Sequence, residues 1–119
     1  MNNAGILRRA NTLEMTMETW DLVFDVNVRS VFMLTQAVGR IMAKQGFGKI
    51  VNSSSSSGKI PYEGEVAYGA SKMAVIGLSM VAALELGKYG VTVNTICPGP
   101  IDTALSRVGG CMATEEKYK

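Results

Sequence analysis

Two long helical patterns alternate with two short β-branched runs along this chain, and this alternation constrains the fold more than any other feature. Apolar residues recur at the 3.6-residue helical spacing over residues 17–45, and a second run rich in Ala, Met and Leu covers residues 65–88. Residues 48–54 and 91–97 have the composition of short strands. Because strands that alternate with long helices pair in parallel, the sequence predicts an α/β fold, with helices flanking a parallel sheet.

The predicted element boundaries rest on residues that start and stop helices. Thr16 is a suitable N-cap for the first helix, and Gly46 is suited to its end. Gly90 closes the second helix, and prolines at 98 and 100 end the second strand. The chain therefore follows an α-β-α-β order behind a short irregular N-terminal stretch, and its 119 residues suit one domain.

Composition excludes several classes of function. The chain has no histidine, two cysteines and a formal net charge of +2. Without histidine it cannot build a Ser-His-Asp or Cys-His site or a histidine-ligated metal centre, and two cysteines are too few for a four-ligand zinc site. A charge of +2 spread over both signs gives no electrostatic footprint for nucleic acid. We therefore expect neither a metal nor a nucleic-acid partner.

A targeting signal and a membrane span are not expected either. The apolar stretch at the N-terminus is too short and too polar for a signal peptide. The most apolar stretch, residues 73–86, is shorter than the roughly 20 residues that a bilayer-spanning helix needs. We therefore expect no membrane partner and a cytoplasmic location.

Tyr68 and Lys72 form the first candidate chemical pair. They are four residues apart on the second predicted helix, so their side chains share one helix face. An ammonium group near a phenol stabilises the phenolate and lowers the tyrosine pKa, which makes tyrosine a usable acid/base near neutral pH. A Tyr-x-x-x-Lys pair alone is a weak signal, and on its own it favours an ordinary surface pair.

Ser55 strengthens that signal because of its place at the end of a predicted strand. Parallel sheets bind ligands beyond the carboxyl ends of their strands. The helix that carries Tyr68 begins near the same edge, and residues 98–103 follow the next strand there. A serine hydroxyl at this edge would donate to a substrate carbonyl oxygen while Tyr68 moves the proton. We interpret the other serines of the run 53–57 as turn residues.

In this order, the motifs resemble the classical short-chain dehydrogenase/reductase family of NAD(P)-dependent oxidoreductases, which have a Rossmann-like fold. The stretch Asn2-Asn3-Ala4-Gly5 resembles the segment that follows the family's fourth strand. The residues that match the family's catalytic tetrad are Asn27, Ser55, Tyr68 and Lys72. The residues that resemble the segment holding the nicotinamide are Pro98, Gly99, Ile101, Asp102 and Thr103. The resemblance covers residues 2–103.

The resemblance implies a role for each matched residue. Tyr68 would be the acid/base, and Lys72 would lower its pKa and bind the nicotinamide ribose. Ser55 would orient the substrate oxygen, and Asn27 would hold a water that relays protons through Lys72. The residues expected to bind NAD or NADP are Asn3, Ala4, Gly5, Tyr68, Lys72, Pro98, Gly99, Ile101 and Thr103. The implied reaction interconverts a small-molecule alcohol and a carbonyl compound.

The resemblance also implies that family parts are missing from this sequence. No G-x-x-x-G-x-G turn for the pyrophosphate is found, and the residue that chooses NAD or NADP would precede the matched part. We therefore expect residues 1–119 to be a single partial Rossmann domain, comprising the central to C-terminal part without the first βαβ unit. We expect little or no activity from this chain alone.

Two functions remain open at this point. The chain belongs to an active dehydrogenase, or it is a non-catalytic truncated paralogue that acts as an interaction module. In the family the two long helices pair with a second subunit, so the resemblance implies a homodimer or homotetramer through helices at about 17–45 and 65–88. The retained Asn27, Ser55, Tyr68 and Lys72 favour the enzyme.

Overall fold

The computed structural model describes residues 1–101 together with residue 104, and it confirms the α/β architecture. Helices and parallel strands alternate along the chain. The helices are α1 (Met17–Phe24), α2 (Ser30–Gln45) and α3 (Val66–Leu86), and the strands are β1 (Gly48–Ser53) and β2 (Val91–Ile96). Short 3₁₀ turns follow β1 at Ser56–Gly58 and α3 at Gly87–Tyr89.

Both ends of the first predicted helix are confirmed, but the middle of this helix is not α-helical. Thr16 caps it, with its hydroxyl oxygen accepting a hydrogen bond from the Thr19 amide at 3.2 Å. Gly46 ends it in the left-handed region at φ 71°. Between α1 and α2 lies a π-helical turn, Asp25–Arg29, which the periodicity of apolar residues does not reveal. Such turns occur mostly as single bulges inside α-helices, frequently at functional sites.

The two strands pair in parallel, with Gly48 opposite Val91 and Ser53 opposite Ile96. The N-terminal segment joins this sheet through Asn2, whose amide donates to the Val51 carbonyl oxygen. The Ser53 amide in turn donates to the Asn2 carbonyl oxygen. Since alternate residues of a strand direct their backbone groups to opposite sides, Asn2 and β2 lie along opposite edges of β1.

The helices cover one face of this sheet. Ile50, Val91 and Val93 form the buried cluster, against which Val38 and Met42 of α2 pack, together with Ala82, Ala83 and Leu86 of α3. The alternate strand residues Lys49, Thr92 and Asn94 are exposed. Parallel sheets generally have both faces covered. The second face of this sheet is therefore left open by the described residues.

Helix α3 is longer than the apolar stretch of residues 73–86 on which the expectation of no membrane span was based. Together with the 3₁₀ turn that follows it, the helix covers Val66–Tyr89, 24 residues with a mean hydropathy of 1.5. By length and composition it is sufficient to cross a bilayer, so the estimate from residues 73–86 was too short. The core helix of a sheet passes the same test, and α3 packs on the sheet through Ala82, Ala83 and Leu86. The absence of a membrane partner and the cytoplasmic location stay predictions.

Candidate active site

The serine run lies at the carboxyl edge of the sheet, beside the end of β2. The Ser54 amide donates to the Ile96 carbonyl oxygen at 2.8 Å. The Ser56 amide donates to the Pro98 carbonyl oxygen at 2.9 Å. The pairing of β1 and β2 thus continues past both strands, and it brings the serine run and the Pro98 segment together. This is the edge at which parallel sheets bind ligands.

Lys72 is a buried cation next to Tyr68. Its side chain extends from α3 so that Nζ lies 5.6 Å from the centroid of the Tyr68 ring. Nζ also donates to the Ser53 carbonyl oxygen at 3.2 Å, and the residue is only 5% exposed. Desolvation by burial lowers the pKa of Lys72 below its ordinary value. The two side chains that were predicted to share one helix face are thus brought together.

Ser55 is half-buried at the start of the 3₁₀ turn. Its hydroxyl oxygen accepts a hydrogen bond from the Ser57 amide at 3.2 Å, which leaves the O–H able to donate to a ligand. The neighbouring Ser54 hydroxyl donates to the Lys72 carbonyl oxygen at 2.7 Å and so ties the turn to α3. The turn that carries Ser55 is thereby fixed to the helix that carries Tyr68 and Lys72.

Asn27 lies in the π-helical turn and is completely buried. Its amide oxygen accepts from the Ile6 amide at 2.7 Å, and its amide nitrogen donates to the Ile6 carbonyl oxygen at 2.9 Å. The same nitrogen donates to the Ser71 hydroxyl at 3.1 Å. The side chain thus anchors the N-terminal segment to α3, and the sequence motif does not predict this role. The water-holding role implied for Asn27 stays a prediction.

The residues expected to bind the cofactor occupy two segments of this edge. Asn3 and Ala4 are exposed, and Gly5 is half-buried. A β-carbon on Gly5 would lie 3.3 Å from Lys72 Nζ and 3.5 Å from Asn27 Oδ1, so a side chain there would crowd both groups. Thr103 lies outside the described residues.

On the other segment, Pro98 is half-buried, Gly99 is exposed and Ile101 is 58% exposed. A β-carbon on Gly99 would meet no atom within 4 Å, so the backbone there is open to a ligand. The Lys72 ammonium has three N–H donors, which suits ribose hydroxyls. These residues fit the nicotinamide-ribose half of a dinucleotide, whereas the sequence has no glycine-rich turn to fit its pyrophosphate.

Several residues that position this site were not found in the sequence. Ser54 and Ser57 were interpreted as turn residues, yet each donates a side-chain hydrogen bond to a residue of α3 or its N-cap. Glu65 and Ser71 were not singled out, although Ser71 lies between Tyr68 and Lys72 in the sequence. Their partners Arg9 and Asn27 lie 56 and 44 residues away, so no short-range spacing signals these two contacts.

Comparisons with known proteins agree with this geometry. Residues 1–109 match the family model of the short chain dehydrogenases. A 3-oxoacyl-[acyl-carrier-protein] reductase from Synechocystis is 42% identical over 106 residues, which are 89% of this chain and 43% of the relative. A D-threitol dehydrogenase from Mycolicibacterium smegmatis is 41% identical over 105 residues, 88% of this chain and 40% of that relative.

A solved structure shares the fold. The crystal structure of a gluconate 5-dehydrogenase from Burkholderia cenocepacia, in complex with NADP and tartrate, matches with a TM-score of 0.88 and 36% identity. The match covers 90% of this chain and 42% of that one. The chain thus spans about two fifths of the length of the relatives it matches. The family match over residues 1–109 shows that this chain belongs to the short-chain dehydrogenase family.

Proposed function

We propose that this chain carries the acid/base site of an NAD(P)-dependent oxidoreductase that interconverts a small-molecule alcohol and a carbonyl compound. The observation that carries the proposal is the Lys72 ammonium, buried and 5.6 Å from the Tyr68 ring at the carboxyl edge of a parallel sheet. The relatives' names support the reaction class, since they are reductases and dehydrogenases of oxoacyl, threitol and gluconate compounds.

Each polar residue of the site has a task in carbonyl reduction. The Ser55 hydroxyl donates a hydrogen bond to the carbonyl oxygen and stabilises the negative charge that develops on it. Tyr68 transfers its phenolic proton to the same oxygen, and the Lys72 ammonium stabilises the phenolate that remains. In the oxidative direction the Tyr68 phenolate takes the hydroxyl proton from the alcohol. When bound, the nicotinamide supplies or accepts the hydride.

The cofactor assignment combines these residues with the two exposed segments. Lys72 would bind the ribose hydroxyls, and Gly5 and Gly99 allow a ligand to approach the backbone closely. The NADP in the related gluconate 5-dehydrogenase supports a nicotinamide dinucleotide, either NAD or NADP. Asn3, Ala4, Pro98, Ile101 and Thr103 complete the proposed contacts.

The test is an assay of the protein expressed from the complete reading frame in which this sequence lies. The assay measures NAD(P)H-dependent reduction of a panel of small ketones and oxoacyl thioesters. We expect Tyr68→Phe to lower kcat by at least a hundredfold, because the proton donor is removed. The matched control is Tyr62→Phe, which alters a 45%-exposed tyrosine. Equal rates for the two variants would contradict the proposal.

A second candidate role rests on the exposed apolar side chains of the long helices. Phe32, Met33 and Ile41 of α2 are 52–58% exposed, and Met80 and Leu84 of α3 are 68% and 84% exposed. Exposed apolar patches of this kind mark protein interfaces. This face supports a homodimer or homotetramer, and it also suits a non-catalytic interaction module.

The two roles are separable by experiment. Light scattering on a size-exclusion column should give an oligomer for the unsubstituted protein and a smaller species for Met80→Glu together with Leu84→Glu. The control is Leu13→Glu, which places the same charge on a 99%-exposed apolar residue outside α2 and α3 and should leave the mass unchanged. If the protein assembles but Tyr68→Phe has no effect on any activity, the interaction module is favoured over the enzyme.

A further inference from the structure

A buried carboxylate links three segments at the N-terminus of α3. Glu65 is 3% exposed and is the N-cap residue of this helix. Its Oε2 accepts a hydrogen bond from the Ser57 hydroxyl at 2.7 Å, and its Oε1 accepts one from an Arg9 guanidinium nitrogen at 2.8 Å. One side chain thus connects the N-terminal segment, the turn after β1 and the helix of Tyr68.

Ser57 and Glu65, which this hydrogen bond joins, each lie next to residues of the proposed acid/base site. Ser57 lies in the 3₁₀ turn, and its amide donates to the Ser55 hydroxyl oxygen at 3.2 Å. Glu65 precedes Tyr68 by three residues, and its carbonyl oxygen accepts the Gly69 amide at 2.7 Å, within the first turn of α3. The carboxylate therefore joins the segment that orients Ser55 to the segment that presents Tyr68.

A charged group at this buried point is costly unless it is fully paired. Burying an unpaired carboxylate is strongly unfavourable, and here one oxygen faces a cation and the other a hydroxyl. Because both oxygens are engaged in different directions, the carboxylate fixes a distance between two segments, which an apolar side chain of equal size would not do.

We propose that Glu65 is a positioning residue that sets the Ser55 hydroxyl relative to the Tyr68 phenol by holding Ser57 against the N-terminus of α3. The inference rests on the proposed function for its catalytic consequence. The placement of the Ser55 turn can be tested independently of activity. Misplacing a catalytic group by about 1 Å costs on the order of a hundredfold in rate.

Two variants of Glu65 separate the effect of its hydrogen bonds from the effect of its side-chain volume. Glu65→Gln keeps the shape, since its oxygen can accept from Arg9 while its amide donates to the Ser57 hydroxyl oxygen. Glu65→Leu keeps the approximate volume and loses both contacts. The matched control is Glu63→Leu, which removes an exposed carboxylate two residues away.

The kinetic readout uses the complete protein and its ketone substrate. We expect Glu65→Leu to lower kcat by about ten- to a hundredfold with less than a twofold change in the KM for NAD(P)H. Glu65→Gln should stay within threefold of the unsubstituted enzyme. A folded Glu65→Leu protein with unchanged kcat, or a Gln variant as slow as the Leu variant, would overturn the inference.

The second readout is amide hydrogen exchange. Glu65→Leu should speed exchange at Ser57 at least tenfold while Ile50 and Val93 in the sheet keep their protection. An equal rise in exchange rate at all three amides would mean that Glu65 contributes only to general stability. An unchanged exchange rate at Ser57 would show that Glu65 does not keep the turn in place. If Tyr68→Phe leaves the rate unchanged, the proposed function fails, and the exchange result still decides the role of Glu65.

Discussion

At the scale of single residues, Lys72 combines burial with a charge. It is 5% exposed, its ammonium contacts the Ser53 carbonyl oxygen, and its pKa is lowered by desolvation. Its ammonium lies 5.6 Å from the centroid of the Tyr68 ring, and this costly placement supports the proposed role in proton transfer. The same group gives the folded state a pH dependence that can be measured.

The stability of the fold should rise with pH through the titration of Lys72. Between the lowered folded pKa and the ordinary value of 10.5, the unfolded chain binds more protons than the folded chain, so raising the pH favours folding. The slope contributed by one group is at most about 1.4 kcal/mol per pH unit.

The comparison variant is Lys72→Met, which lacks this titration. We expect its advantage in the free energy of unfolding over the unsubstituted chain to be greatest at pH 7 and to shrink toward pH 10.5, measured by urea unfolding. A difference that stays constant or grows with pH would show that the buried lysine does not have a lowered pKa.

Asn27 makes structural hydrogen bonds in addition to the role that the motif implies. Replacing it with alanine leaves the Ile6 amide and carbonyl without the Asn27 amide. We expect Asn27→Ala to lower the free energy of unfolding by about 1–3 kcal/mol, the cost of unpaired buried polar groups. Asn94→Ala, at an exposed position of β2, should change it by less than about 0.5 kcal/mol in the same urea titration. Equal effects would contradict the assigned bonds.

At the scale of elements, the contact between the Ser55 turn and α3 tolerates no added atoms. A β-carbon on Gly58 would lie 2.7 Å from Ser54 Oγ and 2.9 Å from the Lys72 carbonyl oxygen. Because the second atom belongs to helix backbone, the turn would have to move away from α3. Such overpacking typically costs about 1–3 kcal/mol.

A pair of glycine substitutions tests this contact. Gly58→Ala should destabilise the fold by about 1–3 kcal/mol and lower the reductase kcat of the complete protein. Gly77→Ala, within α3 where a β-carbon meets nothing, should stabilise it by about 0.5–1 kcal/mol. Thermal unfolding of both variants checks the sign of each change, and a neutral Gly58→Ala would mean that the turn is not packed as described.

The elements themselves were largely predictable, and their interruptions were not. Thr16 and Gly46 mark their helix ends by local chemistry, and β-branched runs mark both strands. The π-helical turn at Asp25–Arg29 leaves no trace in the apolar periodicity, because it shifts the register by one residue only. The second helix, predicted over residues 65–88, is observed as Val66–Leu86 followed by a short 3₁₀ turn, so its extent was predicted correctly.

At the scale of the whole molecule, the residues that the structure describes cover one face of the sheet. Lys49, Thr92 and Asn94 lie exposed on the other face, while matched relatives are more than twice as long. We expect the 119-residue chain alone to reduce a ketone at no measurable rate with NADPH, because little of the pyrophosphate site is in this sequence.

The measurement is ketone-dependent loss of NADPH absorbance, with the chain alone and with its complete reading frame assayed at equal concentration. Turnover by the chain alone at an ordinary rate, on the order of 1 per second or more, would contradict this expectation. Isothermal titration with NADPH provides a second measure, in which the chain alone should bind at least a hundredfold more weakly than the complete protein.

The sequence by itself determined the parallel α/β architecture, the family and the candidate residues Asn27, Ser55, Tyr68 and Lys72, because periodicity, helix caps and short motifs are local properties of the chain. Only the tertiary structure decided how Lys72 is buried, that the Asn27 side chain hydrogen-bonds the Ile6 backbone, and that Glu65 joins Ser57 to Arg9. These contacts join residues 8 to 56 positions apart, and which distant polar groups meet is set by the packing of helices on the sheet.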